Sequence, residues 1–145
     1  MIGLLQRVSK ATIYLNNKKA NSIKNGLVVF VGIEKKDSEH NAEILLKKIL
    51  KCRIFNDEKN LMNLNLGGIS GELMLVPQFT LMANFEKGNR PSFSHIASKD
   101  KSNFLFHYFS DLAKQRYPHV KIGFFGEDMA VELINEGPTT FWLQA

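Results

Sequence analysis

The run Leu27-Val28-Val29-Phe30-Val31 constrains the fold of this chain more than any other stretch. It is apolar at every position and does not alternate, so as a strand it must be covered on both faces. Asn25-Gly26 directly before it supplies a turn. Further on, Glu72-Leu73-Met74-Leu75-Val76 reads as another strand and runs into Pro77. The proline cannot donate to a ladder and marks a strand end or an edge.

The remaining elements supply the cover. Ile2 to Val8 and Ala11 to Leu15 form one interrupted β run, closed by a turn at Asn16-Asn17. Ser38 has the character of an N-cap, and Ala42, Leu45, Leu46, Ile49 and Leu50 follow at helical spacing. Lys47, Lys48 and Lys51 then fall in the last turns, where the helix dipole favours cations. Arg53-Ile54-Phe55 reads as a short strand, Asn56-Asp57 as a turn and Asn63 to Gly68 as loop. Asp100 is expected to cap a second helix, with Phe104, Leu105, Tyr108, Phe109, Leu112 and Ala113 on one stripe, ending before Pro118. Val120 to Phe124 is a strand and Gly126-Glu127-Asp128 a turn. Two last strands, Met129 to Ile134 and Thr139 to Leu143, flank Gly137-Pro138. With hairpins dominating, the expected fold is α+β: largely antiparallel sheets covered by two helices, in one domain spanning residues 1–145. No internal repeat stands out.

Composition narrows the class. Hydrophobic residues make up 44% and charged residues 23%, which excludes a disordered chain. No apolar run approaches the roughly 20 residues of a membrane helix. The opening Met1 to Arg7 is too short and mixed for a signal peptide. The single cysteine, Cys52, rules out an internal disulfide and fits a reducing compartment, so a cytoplasmic location is expected. A formal charge of +5 favours a polyanionic partner. The lysines are scattered along the chain (Lys18, Lys35, Lys87, Lys99 and Lys101 are examples), which points to a folded basic face and not to a disordered arm.

The usual catalytic signatures are missing. There is no phosphate loop, dinucleotide fingerprint or metal-spaced cysteine or histidine pair, so neither cofactor nor metal is expected. Gly68-Ile69-Ser70-Gly71 has the wrong spacing for a nucleophile elbow. An enzyme of this kind must use backbone dipoles or groups on its substrate. Residues 83–97 have no clean period, and a loop of that length in a small domain tends to be functional. Gly137-Pro138 reads from spacing as a β-turn between paired strands. The same corner can also aim two backbone carbonyls in one direction, an acceptor pair for an ammonium group.

Five stretches taken together resemble the D-aminoacyl-tRNA deacylases. Val76-Pro77-Gln78-Phe79-Thr80-Leu81 is similar to their S-Q-F-T-L motif, and Asn135-Glu136-Gly137-Pro138-Thr139-Thr140 to their N-x-G-P-x-T motif. Gln6-Arg7-Val8, the Gly88 to Phe93 loop and the terminal Phe141-Trp142-Leu143 also resemble that family, so the likeness covers essentially the whole chain.

The resemblance implies hydrolysis of the ester joining a D-amino acid, or mischarged glycine, to the terminal adenosine of tRNA. It implies a homodimer in which the Gly-cis-Pro motif of one subunit enters the pocket of the other. Gly137 and Pro138 would then meet the substrate's α-ammonium, with Arg7 orienting them. Gln78, Phe79 and Thr80 would line the ester, with backbone N–H groups near its carbonyl. The terminal 2′-hydroxyl would assist, so no protein nucleophile is needed. Pro77 departs from the family's usual serine and removes a hydroxyl and an N–H together, while the N–H groups of Gln78 and Phe79 remain. Two rival readings are a non-catalytic RNA-binding module on the same fold and a hydrolase of small D-amino-acid esters.

Overall fold

The computed structural model describes residues 1–86 and 88–145; Lys87 lies outside the described residues. Strand β1 (Ile2–Leu15) is continuous through the anticipated interruption and organises the main sheet. Its first half pairs antiparallel with β3 (Gly26–Gly32), its second half with β2 (Lys18–Ile23), and its other edge with β8 (Met129–Gln144). The β1–β2 corner is tight because Asn16 and Asn17 both take positive φ, 49° and 59°, the geometry that asparagine tolerates in two-residue hairpins.

The second half of the sheet differs from the hairpin expectation. β3 pairs parallel with β6 (Glu72–Pro77), and β6 pairs parallel with β7 (Val120–Ile122). Parallel neighbours need crossovers, and the two helices provide them: α1 (Glu39–Lys51) between β3 and β6, α2 (Lys99–Arg116) between β6 and β7. The first crossover also carries a small hairpin of β4 (Phe55–Asn56) and β5 (Met62–Leu64). The α+β class therefore stands, on a mixed sheet.

The unbroken apolar runs follow directly from this layering. Leu27, Val29, Val31, Leu73 and Leu75 face the helices and pack with Leu45, Leu46, Ile49, Leu105, Phe106 and Phe109. Val28, Met74 and Val76 face the opposite way, into a second core with Val8, Ala11, Ile13 and Ile23. The sheet curls around that second core until Asn21 Nδ2 donates to the Ile122 carbonyl at 2.8 Å, joining β2 to β7. Each fully buried aliphatic side chain contributes about 1.5–3 kcal/mol, so both faces of β3 and β6 are sources of stability.

Several local expectations shift. The strand expected at Arg53–Phe55 starts at Phe55, and the Ile54 carbonyl before it accepts from a side chain of β1. Helix α2 is capped by Ser98, whose hydroxyl accepts from the Lys101 N–H at 3.3 Å, and Asp100 sits within the first turn. The buried stripe of α2 runs through Leu105, Phe106, Phe109 and Ala113, leaving Phe104 58% exposed. Ser38 does begin α1, and its N–H donates to Asn41 Oδ1 at 2.9 Å. The two terminal strands are one element, β8, with the Gly137-Pro138 corner bulging from its middle.

Candidate active site

A cleft of about 630 Å³ opens where β3 and β6 end and where α2 begins. Val31, Val76 and Pro77 come from the strand ends, Ala97 and Ser102 from the start of the second crossover helix, and Phe124 to Met129 from the chain beyond β7. Open sheets with parallel strands offer ligands this location because side chains and free backbone groups converge at the carboxyl ends. The walls are largely apolar, with Gln78, Lys99, Glu127 and Asp128 as polar points.

The motif Pro77-Gln78-Phe79-Thr80 forms the exit from β6. Leu73 donates to His119 and Gly123 donates to Leu75, so alternate residues of β6 face β7. Pro77 belongs to that set but lies beyond the last paired position, Leu75–Ile122, so its missing N–H costs no ladder bond. Gln78 faces the other way and donates its N–H to the Val31 carbonyl at 2.8 Å. This corrects the expectation that the Gln78 N–H stays available for an ester oxygen. Phe79 then opens a 3-10 turn, Phe79–Met82, and its N–H has no hydrogen-bond partner among the described residues. Phe79 is 58% exposed and packs at a tilt of 55° against Phe93, with a centroid distance of 5.3 Å, which ties the turn to the long loop.

Thr80 sits in the same turn, beside Gln78. Its hydroxyl accepts a short hydrogen bond from Gln78 Nε2, a donor that cannot remove its proton. Pro77, Gln78 and Phe79 line the cleft, whereas Thr80 does not. Cys52 sits at the end of α1, where burial pushes its thiol above the ordinary value and disfavours the thiolate. No cluster of metal-binding side chains occurs among the described residues.

The second motif is built from a mismatch in register. Gln6 pairs with Thr140 and Val8 with Asn135, so four residues, Glu136 to Thr139, stand opposite Arg7 alone. The excess chain leaves the sheet as a loop whose base is closed by Asn135 Nδ2 donating to Gln6 Oε1 at 2.8 Å. The Gly137–Pro138 peptide bond is cis. Gly137 has φ of +117°, and a Cβ built there would lie 2.6 Å from Thr139 Oγ1, so only glycine fits without strain. Glu136, Gly137 and Pro138 are exposed.

Arg7 is the buried anchor of this loop. Its Nε donates to the Glu136 carbonyl at 3.1 Å and its Nη1 to the Ile54 carbonyl at 2.7 Å. The guanidinium thus ties the corner to the start of the β4–β5 hairpin. Arg7→Ala is expected to cost about 3 kcal/mol, since hydrogen bonds to charged donors contribute roughly 1.5–3 kcal/mol each. Arg7→Lys should recover less than half of that, because one ammonium cannot hold two carbonyls in a fixed fork. Urea unfolding of the three proteins measures both; equal stability of wild type and Arg7→Ala would contradict the anchoring role.

Within one chain the two motifs do not meet. Pro77 pairs with Val31, Val31 with Gly3 and Gly3 with Leu143. The exit of β6 is therefore three strands from β8 and about 13 Å further along than Arg7. No residue of Glu136 to Thr140 lines the cleft. Ile54 and Glu136, which hold Arg7, were invisible in the sequence because a carbonyl that accepts a bond carries no residue signature.

Comparison with known proteins defines the class. A family model described as D-Tyr-tRNA(Tyr) deacylase matches residues 4–144. The chain belongs to that family and is a hydrolase of the deacylase type. It is 52% identical over 143 residues to a D-aminoacyl-tRNA deacylase of Dichelobacter nodosus (strain VCS1703A), covering 99% of both proteins. A D-aminoacyl-tRNA deacylase of Methylacidiphilum infernorum (isolate V4) is 46% identical over 144 residues, again with 99% of each covered. Among solved structures, the c-Myc DNA Unwinding Element Binding Protein superposes with a TM-score of 0.95 at 29% identity, over 100% of this chain and 99% of that one. A probable eukaryotic D-amino acid tRNA deacylase superposes with a TM-score of 0.86 over 99% of this chain and 98% of that one; at 18% identity it speaks for the fold.

Proposed function

We propose that this protein hydrolyses the ester bond of D-aminoacyl-tRNA, and of mischarged glycyl-tRNA, releasing the amino acid and intact tRNA as a proofreading step in translation. The observation that carries this reading is the pairing of two backbone devices. One is a cleft with an unpaired Phe79 N–H and no side-chain nucleophile with its base among the described residues. The other is an exposed glycine-proline corner held by Arg7.

The two devices combine in a homodimer. β8 forms an edge of the sheet, and Ile134, Phe141 and Trp142 are exposed along it beside the Gly137-Pro138 loop. Burying such a surface against a second copy places the loop of one subunit over the cleft of the other. Carbonyls of the loop accept the substrate's α-ammonium, and the Phe79 N–H meets the oxygen that gains charge as the ester is attacked. The attacking water is activated with the help of the ribose 2′-hydroxyl, which explains why Thr80 has no base.

Chirality is then selected sterically. With the ammonium and the ester both pinned, either hydrogen or side chain must point at the loop. An L residue points its side chain there and collides, a D residue points hydrogen, and glycine passes. Exclusion by collision exceeds the roughly 1–3 kcal/mol that one methylene contributes in an apolar pocket. The test is deacylation of matched D- and L-aminoacyl-tRNA by the purified protein. The D ester should be cleaved at least about a hundredfold faster, with the glycyl ester between them. Equal rates on both enantiomers would refute the backbone selection, and no cleavage of either would favour a non-catalytic tRNA-binding role.

A further inference from the structure

One wall of the cleft is held by a methionine sulfur. β7 ends at Ile122, and its seam with β6 closes where Gly123 donates its N–H to the Leu75 carbonyl at 2.7 Å. Pro77, the next residue of β6 on that side, has no N–H with which to carry the seam further. The chain from Phe124 to Asp128 therefore runs along the cleft without a ladder. Among the described residues its one hydrogen bond is from the Phe124 N–H to Met129 Sδ, 3.2 Å away. Its other hold is apolar, the Phe125 ring lying 6.2 Å from that of Phe106 between centroids. Phe124 and Met129 both line the cleft, so the sulfur belongs to the wall that it braces. The other thioethers are placed differently. Met1, Met74 and Met82 are buried, and Met62 is 48% exposed on the β4–β5 hairpin, outside the cleft lining.

We propose that Met129 is an oxidation site through which hydroperoxides switch the cleft off. The inference rests on the deacylase reading and adds a regulation of that site. The step is an oxygen transfer. The sulfur attacks one peroxide oxygen, the O–O bond breaks, and the other oxygen leaves as water or an alcohol. The thioether gives up two electrons to become a sulfoxide, and the hydroperoxide takes them. A thioether is a weak acceptor, whereas the sulfoxide oxygen is polar and accepts strongly. That oxygen stands a bond length out from the sulfur, so the Phe124 N–H cannot bond to it with the thioether in its present place. Either Phe124 or Met129 shifts, and the cleft wall moves with it. Reduction of the sulfoxide by a dithiol reductase reverses the step: the oxygen leaves as water while two thiols become a disulfide.

The experiment treats the full-length protein with hydrogen peroxide and follows three readouts: peptide masses, the Phe124 amide resonance and cleavage of D-aminoacyl-tRNA. Wild type is compared with Met62→Leu and Met129→Leu. One added oxygen should appear on Met62 and Met129 well before Met1, Met74 or Met82. The Phe124 resonance should shift in step with Met129. Cleavage should fall about tenfold or more, since a displacement of about 1 Å at a positioning element is enough for that loss. Met62→Leu should lose activity as fast as wild type, while Met129→Leu, from whatever level it starts, should keep its activity through the treatment. Methionine sulfoxide reductases for both epimers should restore the wild type. Met129 left unoxidised while Met62 is converted, oxidised Met129 with undiminished cleavage, or an equal loss in Met129→Leu would each overturn the proposal. Failure of the deacylase reading looks different: no cleavage before peroxide, with Met129 oxidation and the Phe124 shift still present.

Discussion

Replacing Gly137 with alanine should lower the rate of D-aminoacyl-tRNA cleavage by about a hundredfold while leaving the fold intact. The backbone φ of +117° is closed to side-chain-bearing residues without roughly 1–3 kcal/mol of strain, and the new methyl would press on Thr139 Oγ1 and on Arg7 Nη2. The loop relieves both by moving, and a displacement of about 1 Å at a positioning element is enough to cost two orders of magnitude. Because the loop is exposed and lies outside the sheet ladder, thermal stability should fall only modestly. Near wild-type rates from Gly137→Ala would remove the loop from the mechanism.

The second expectation concerns the other device. Phe79→Pro should reduce kcat by about 10² to 10³, the usual cost of deleting one donor to a developing oxyanion. The substitution is unusually clean at this position. Phe79 is the first residue of its turn, where proline is well accommodated, and Gln78 before it has φ −146° and ψ 87°, outside the α region that a following proline disfavours. Phe79→Ala is the control that keeps the N–H and removes the ring; it should lose far less. Equal loss in the two variants would assign the role to the aromatic ring. Co-expressing Phe79→Pro with Gly137→Ala also tests the assembly. If each site takes Gly137 from one subunit and Phe79 from the other, mixed dimers regain one intact site, and about a quarter of wild-type activity returns. No recovery would mean that one chain supplies both groups.

Much of this molecule was legible in its residues because local chemistry dictated it. The apolar pattern of Leu27 to Val31 demanded two covered faces, and the structure covers them with two cores. Asn16-Asn17 required a turn, Ser38 a helix start, and Pro77 the end of a ladder, each for a reason confined to a few neighbouring atoms. The motifs at Pro77 to Thr80 and at Gly137-Pro138 were equally visible, since their residue types are the message.

Only the tertiary structure decided what depends on partners distant along the chain. Parallel pairing of β3, β6 and β7 could not be read locally, because crossovers and hairpins differ in where the chain returns and not in what the strand contains. The availability of the two N–H groups was decided in the same way: Gln78 faces β3 and spends its N–H on Val31, while Phe79, one residue later, has left the ladder. The four-against-one register opposite Arg7 arises from pairing between the two ends of the chain. Sequence determines which groups a backbone can offer; the fold determines which of them remain unpaired, and that remainder is what a substrate meets.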